Sequence, residues 1–164
     1  MGGGSWSADR YRSVSSNTVH DHGTVFAYDK AVKSGAATTV HLDLDPKGLK
    51  VRESRDSATS PTSRAVAVFY DVTGSMGDIP RMMQPKFPGL MGLLVAGGYI
   101  QFPHLMISAI GDATCDNYPL QVGQFEIEAD KIVSMLSNMI IESGGGGQMT
   151  ESYELALYIA ARKT

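Results

Sequence analysis

Asp71-Val72-Thr73-Gly74-Ser75 places one carboxylate and two hydroxyls at alternate positions, directly after the apolar run Ala65-Val66-Ala67-Val68-Phe69-Tyr70. In a tight turn, that alternation can direct three oxygens towards one point. Oxygen-only donor sets suit hard cations. Mg²⁺ takes oxygen ligands in near-octahedral array at about 2.0–2.1 Å and keeps several waters. With few carboxylates in the set, a bound cation stays electropositive and can accept a carboxylate from a partner. The plain alternative is an ordinary turn in which Asp71 caps the chain that follows.

Other chemistry-bearing residues fit poorly with a reaction. Gly144-Gly145-Gly146-Gly147 is followed by Gln148, not by the Lys that a phosphate-binding loop requires. Ser75 lacks the Gly two positions earlier that a nucleophile elbow needs, and the only later histidine is His104. His20-Asp21-His22 with His41 offers three imidazoles, but in a Ser- and Gly-rich stretch with no evident scaffold, so a solvated loop is the expectation. Cys115, the only cysteine, has Asp112 and Asp116 nearby, and their charge opposes thiolate formation. Asp112 follows a second apolar run. If that run is a strand parallel to the first, its loop emerges on the same sheet edge as Asp71. A simple hairpin-turn role competes with that reading.

The elements that would position these residues begin at Arg64. The 65–70 run has the length and the Val and aromatic content of a strand buried on both faces. Helix follows from about residue 80, where Pro80 suits a first turn, Pro85 and Pro88 split it, and Gly97-Gly98 stop it. A second strand over 104–110 completes a βαβ unit, so the two strands should be parallel. Residues 120–126 alternate as an antiparallel edge strand would. Residues 129–142 and 150–162 carry helical apolar stripes.

Residues 1–63 read differently. They form a Ser/Gly-rich arm or linker, partly disordered, with short candidate strands over 24–28, 38–44 and 49–52 and a turn at Asp45-Pro46-Lys47-Gly48. The two expected parts are thus 1–63 and 64–164.

Composition narrows the function classes. An apolar fraction of 43% with 19% charged residues is that of a globular protein, and a net charge of −3 argues against a nucleic-acid binder. No run of about 18 apolar residues occurs, so no membrane span is expected. Met1-Gly2-Gly3-Gly4-Ser5-Trp6 has neither the basic nor the apolar region of a secretory signal. A lone cysteine fits a reducing cytoplasm.

Asp71-Val72-Thr73-Gly74-Ser75 with its preceding strand resembles the metal-ion-dependent adhesion site of von Willebrand factor A domains, whose motif is D-x-S-x-S, with Thr73 in place of the first Ser. The resemblance runs over 64–164. It implies a Rossmann-like α/β three-layer sandwich, a parallel sheet with one antiparallel edge strand, of which this sequence carries the first half. Thr150, after the glycines at 144–147, matches the family's later hydroxyl ligand. The family's last ligand, an Asp after the fourth strand, has no counterpart before Thr164, and Asp112 is the candidate substitute.

The implied function is a cytoplasmic, non-enzymatic binding module of bacterial or phage type. In it Mg²⁺ (or Mn²⁺ or Ca²⁺) on Asp71, Thr73, Ser75 and Thr150 bridges to a partner's Asp or Glu, and an AAA+ ATPase is a plausible partner. Two alternatives stand beside it: a metal-dependent hydrolase using the same residues, and an assembly subunit that self-associates through an uncovered sheet edge.

Overall fold

The computed structural model describes residues 4–49, 51–142, 152–162 and 164. Its centre is a three-stranded sheet in the order β1-β2-β3, formed by Arg64–Asp71, Pro103–Ile110 and Leu120–Val122. β1 and β2 are parallel, in register from Arg64↔Pro103 to Asp71↔Ile110. β3 is antiparallel to β2, from Ser108↔Val122 to Ile110↔Leu120. The chain is therefore a mixed α/β fold with a small mixed sheet. No helix among the described residues is long and apolar enough to cross a membrane.

Alternation along the strands divides the core. Val66, Val68 and Tyr70 of β1 and Leu105, Ile107 and Ala109 of β2 share one face with Phe87, Met91, Ile132 and Leu136. Phe69 and Met106 point to the other face, where they pack with Val122, Phe125 and Ile159. The first face is covered by α4 (Phe87–Ala96) and α5 (Ala129–Ser137), the second by α6 (Tyr153–Arg162). α3 (Ile79–Met83) precedes α4, with a 3-10 turn over Gln84–Lys86 between them. Pro80 sits in the first turn of α3, and Pro85 and Pro88 each fall at the start of the next segment, which is why one helical stretch becomes three.

The N-terminal stretch corrects the sequence reading most. It is not a loose arm over 1–63. α1 spans Ala8–His22 and α2 spans Ala27–Lys33. Ser7 caps α1 by accepting a hydrogen bond from the Arg10 N–H at 3.2 Å. Gly23, at φ +77°, closes the helix by donating its N–H to Val19 O at 2.7 Å. Tyr11, Phe26 and Leu44 belong to the same core cluster as β1 and β2.

Among the described residues, the strands expected over 24–28, 38–44 and 49–52 do not form. Phe26 is buried just before α2, and 42–44 is a turn whose Leu44 O accepts the Val122 N–H at 2.8 Å. The Asp45-Pro46-Lys47-Gly48 turn is present, with the Lys47 N–H on Asp45 Oδ1 at 2.9 Å. The helix expected over 129–142 is shorter and ends at Ser137, and the last helix begins at Tyr153.

β1 also departs from expectation. Its sequence suits burial on both faces, yet Arg64, Ala65 and Ala67 are exposed and only Tyr70 is fully buried. The central strand is β2, buried at all eight positions.

β2 contains a fully buried histidine, His104, whose two ring nitrogens have no hydrogen-bond partner among the described residues. Burial lowers its pKa, while the charges of Glu126 and Asp56 act weakly the other way. A base with a depressed folded pKa contributes stability that is complete above its unfolded pKa, about 6.5. That stability is lost as pH falls from there towards the folded value. Urea denaturation of His104→Leu should therefore show a stability advantage over the parent chain that widens as pH is lowered from about 7 to about 5. An advantage independent of pH would contradict the buried neutral imidazole.

Candidate cation site

The parallel ladder brings the ends of β1 and β2 to one edge of the sheet. Beyond the last register pair, the Val72 N–H donates to Ile110 O at 2.9 Å, so the loops starting at Val72 and Gly111 leave side by side. Thr73 then enters a 3-10 turn over Gly74–Met76 that closes with the Gly77 N–H on Gly74 O.

The three predicted oxygens converge there. Thr73 Oγ1 donates to Asp71 Oδ1 at 2.6 Å and lies 3.0 Å from Ser75 Oγ. Neighbouring ligands of an octahedral Mg²⁺ at about 2.0–2.1 Å sit about 2.9 Å apart, close to the Thr73–Ser75 separation, while the Asp71–Thr73 contact is a shorter hydrogen bond. The Thr73 N–H also donates to Asp71 Oδ1, at 3.0 Å. The turn reading and the convergence reading thus hold together: the backbone hydrogen bond fixes the carboxylate that the hydroxyls face.

The second carboxylate oxygen, Asp71 Oδ2, accepts from the Tyr153 hydroxyl at 2.6 Å. The apolar stripe expected over 150–162 gives Tyr153 no polar role. Its one available signal was position, since helix starts and strand ends gather at the same edge of a parallel sheet. Ser152 reinforces that placement. It donates its N–H to Gly111 O at 3.3 Å, and its Oγ accepts from the Ala113 N–H at 3.0 Å.

Asp112 lies on the expected edge and is buried. It repeats the Asp71 pattern, because Thr114 donates its N–H at 2.7 Å and its hydroxyl at 2.6 Å to Asp112 Oδ1. Cys115 Sγ donates to Asp112 Oδ2 at 3.2 Å, and the Asp112 N–H donates to Asp116 Oδ2 at 2.7 Å. Hydrogen bonds from the Thr114 hydroxyl and N–H hold the Asp112 carboxyl below the usual carboxylate range. Its hydrogen bond to the Asp112 carboxylate pushes the Cys115 thiol up, against nucleophilic use. No hydrogen bond joins Asp112 to the Asp71 triad among the described residues; its oxygens serve its own turn. Thr150 and the glycines at 144–147 lie outside the described residues.

The remaining candidates are not brought together. His20 and His22 are exposed at the end of α1, while His41 meets Tyr28 edge-on at 4.9 Å. Among the described residues, no group of three or more His, Cys, Asp or Glu side chains is placed to hold a metal ion. A cation at Asp71 would therefore rely on one carboxylate and neutral hydroxyls. His104 is near the start of β2, about 20 Å of strand from the Ile110 end. No family model, curated protein or solved structure matches the chain.

Thr73 is the centre of the triad and is itself buried. Thr73→Val should lower unfolding free energy by about 1–3 kcal/mol through the lost hydroxyl contacts, and Ser75→Ala by less, since Ser75 is exposed. Equal effects in chemical denaturation would show that Thr73 does not organise the turn.

Proposed function

We propose that this chain is a divalent-cation-dependent protein-binding module of the von Willebrand factor A type, acting without covalent chemistry. The observation that carries the reading is the convergence of the Asp71, Thr73 and Ser75 oxygens at the end of β1. A hard cation such as Mg²⁺ (or Mn²⁺ or Ca²⁺) bound there supplies an electropositive point that attracts a partner's Asp or Glu. Asp71 provides the charge, the Thr73 N–H fixes its Oδ1, and Tyr153 holds its Oδ2. Thr150, outside the described residues, is the further hydroxyl that the family resemblance implies, and Asp112 would join as a second carboxylate only by giving up its own turn contacts. The partner is a cytoplasmic protein presenting an acidic side chain, an AAA+ ATPase in the reading closest to the family resemblance.

Ligand binding to the folded state raises stability by about 2.7 kcal/mol at a hundredfold excess over Kd. Mg²⁺ should accordingly raise the unfolding temperature of the parent chain but not of Asp71→Asn, and EDTA should reverse the rise. An unfolding temperature that ignores Mg²⁺, Mn²⁺ and Ca²⁺ alike sinks the proposal.

A second reading has its own observation. Among the described residues β1 pairs only with β2, and its apolar sequence is left partly exposed. Nothing within the strand guards that edge: its only charged residues, Arg64 and Asp71, stand at its ends. We propose that a second copy of the chain pairs along it. Light scattering should give a mass that rises with concentration, and Ala67→Lys should hold the chain monomeric. A single monomeric mass across the accessible range counts against assembly.

A further inference from the structure

The flank of the sheet away from β1 contains a separate cavity. The turn ending at Leu44 hydrogen-bonds to Val122 of β3, and past β3 the chain returns to β2 through the Leu105↔Glu126 bridge. α5 forms the third wall. The space between them is about 410 Å³, and its lining includes Leu42, Asp43, Arg52, Glu126, Lys131 and Asn138. Small-molecule sites commonly span about 300–1,000 Å³. Glu126 pairs with Leu105, near the start of β2, so the cavity is remote from the Asp71 edge.

Arg52 is the unusual member. Its Nε is buried and has no hydrogen-bond partner among the described residues. A guanidinium does not discharge in a protein, so a buried N–H of this kind calls for an acceptor. Burial works against its charge, and Asp43 offsets that cost only in part. The neighbouring charges have partners: Lys131 Nζ lies 3.4 Å from Glu126 Oε2, and the Asn138 amide donates to Asp43 Oδ2 at 3.2 Å.

The chemistry of the missing acceptor follows from these charges. A carboxylate matches the planar guanidinium fork. A dianion would also face Asp43 and Glu126, whereas a ligand that carries an ammonium beside its carboxylate turns that negative charge to advantage. Leu42 and Met135 supply apolar surface for a side chain. We propose that this cavity binds a free amino acid, with its carboxylate on Arg52 and its ammonium towards Asp43.

The test uses the full chain. Each common amino acid is screened by saturation-transfer NMR, and any that binds is measured by calorimetry beside its N-acetyl and amide forms and beside inorganic phosphate. At least one amino acid should bind, and either blocked form should lose about tenfold or more in affinity. Arg52→Gln, checked for folding by circular dichroism, should abolish binding. Should that variant fail to fold, the blocked forms on the parent chain decide the matter. The proposal is overturned if no amino acid binds at millimolar concentration, if phosphate binds as well as the amino acid, if a blocked form binds equally, or if folded Arg52→Gln retains affinity.

Discussion

The parallel pairing of β1 with β2 is the constraint from which the rest of the candidate cation site follows. Eight register pairs end at Asp71↔Ile110, and the extra hydrogen bond from Val72 to Ile110 fixes where both strands stop. A slip of one residue would send Val66, Val68 and Tyr70 to the wrong face. The core would reject that slip, because those side chains pack with Phe87 and Met91 while Phe69 packs with Met106 on the opposite side. Asp71 thus ends the strand on the edge where β2 also delivers Asp112. The chemistry at this edge inherits its geometry from hydrophobic burial some residues away.

Both strands end in the same local device. In Asp71-Val72-Thr73 and in Asp112-Ala113-Thr114, the threonine donates its N–H and its hydroxyl to a single carboxylate oxygen of the aspartate two residues earlier. The two turns differ in what meets the second carboxylate oxygen. At Asp112, the second oxygen is taken by Cys115 within the same loop. At Asp71, the second oxygen is met by Tyr153 from a helix far along the chain, and Ser75 adds a further oxygen beside Thr73. The Asp112 loop is tied to the last helix as well, through Ser152, so both turns lock the start of that helix to the sheet edge.

Much of the central fold was legible because each signal had a local cause. β1 and β2 to within a residue at each end, their parallel pairing and the antiparallel direction of β3 follow from apolar runs ended by polar turns, though β3 stops at Val122 and does not run on to residue 126. The breaks around Pro85 and Pro88 follow from proline's missing N–H. α1 was not legible in this way. Of its fifteen residues only Tyr11 and Ser15 are buried, so it has almost no apolar stripe to read. It is held instead by specific contacts with distant residues: Arg10 reaches both oxygens of Asp130, and the Tyr11 hydroxyl donates to Gln84 O. The partial exposure of β1 was hidden for a related reason. Composition shows that a strand can be buried on both faces, but strand order decides whether it is. Convergence at Asp71 was readable from spacing; the contribution of Tyr153 depends on the path of the chain back to the sheet edge.

Those N-terminal contacts also bear on the Asp71 loop. The loop from Val72 to Asp78 is fixed upstream by β1. Downstream it runs into α3 and the 3-10 turn at Gln84, and both are tied to the N-terminal helices. Arg81 of α3 lies 3.1 Å from Asp29 Oδ2, a buried carboxylate that also accepts from Lys33 at 2.9 Å and, through Oδ1, from the Ile141 N–H at 3.0 Å. Gln84 donates to Tyr11 at 2.9 Å and to Ser15 at 3.1 Å, and it receives the Tyr11 hydroxyl on its carbonyl. A buried polar group costs stability unless it is partnered, so each of these partners is needed where it stands. The segment that composition marked as an arm therefore clamps the far end of the loop carrying Thr73 and Ser75. Truncating it would remove α1 and α2 and, with them, the downstream anchor that keeps three oxygens within about hydrogen-bonding distance of one another.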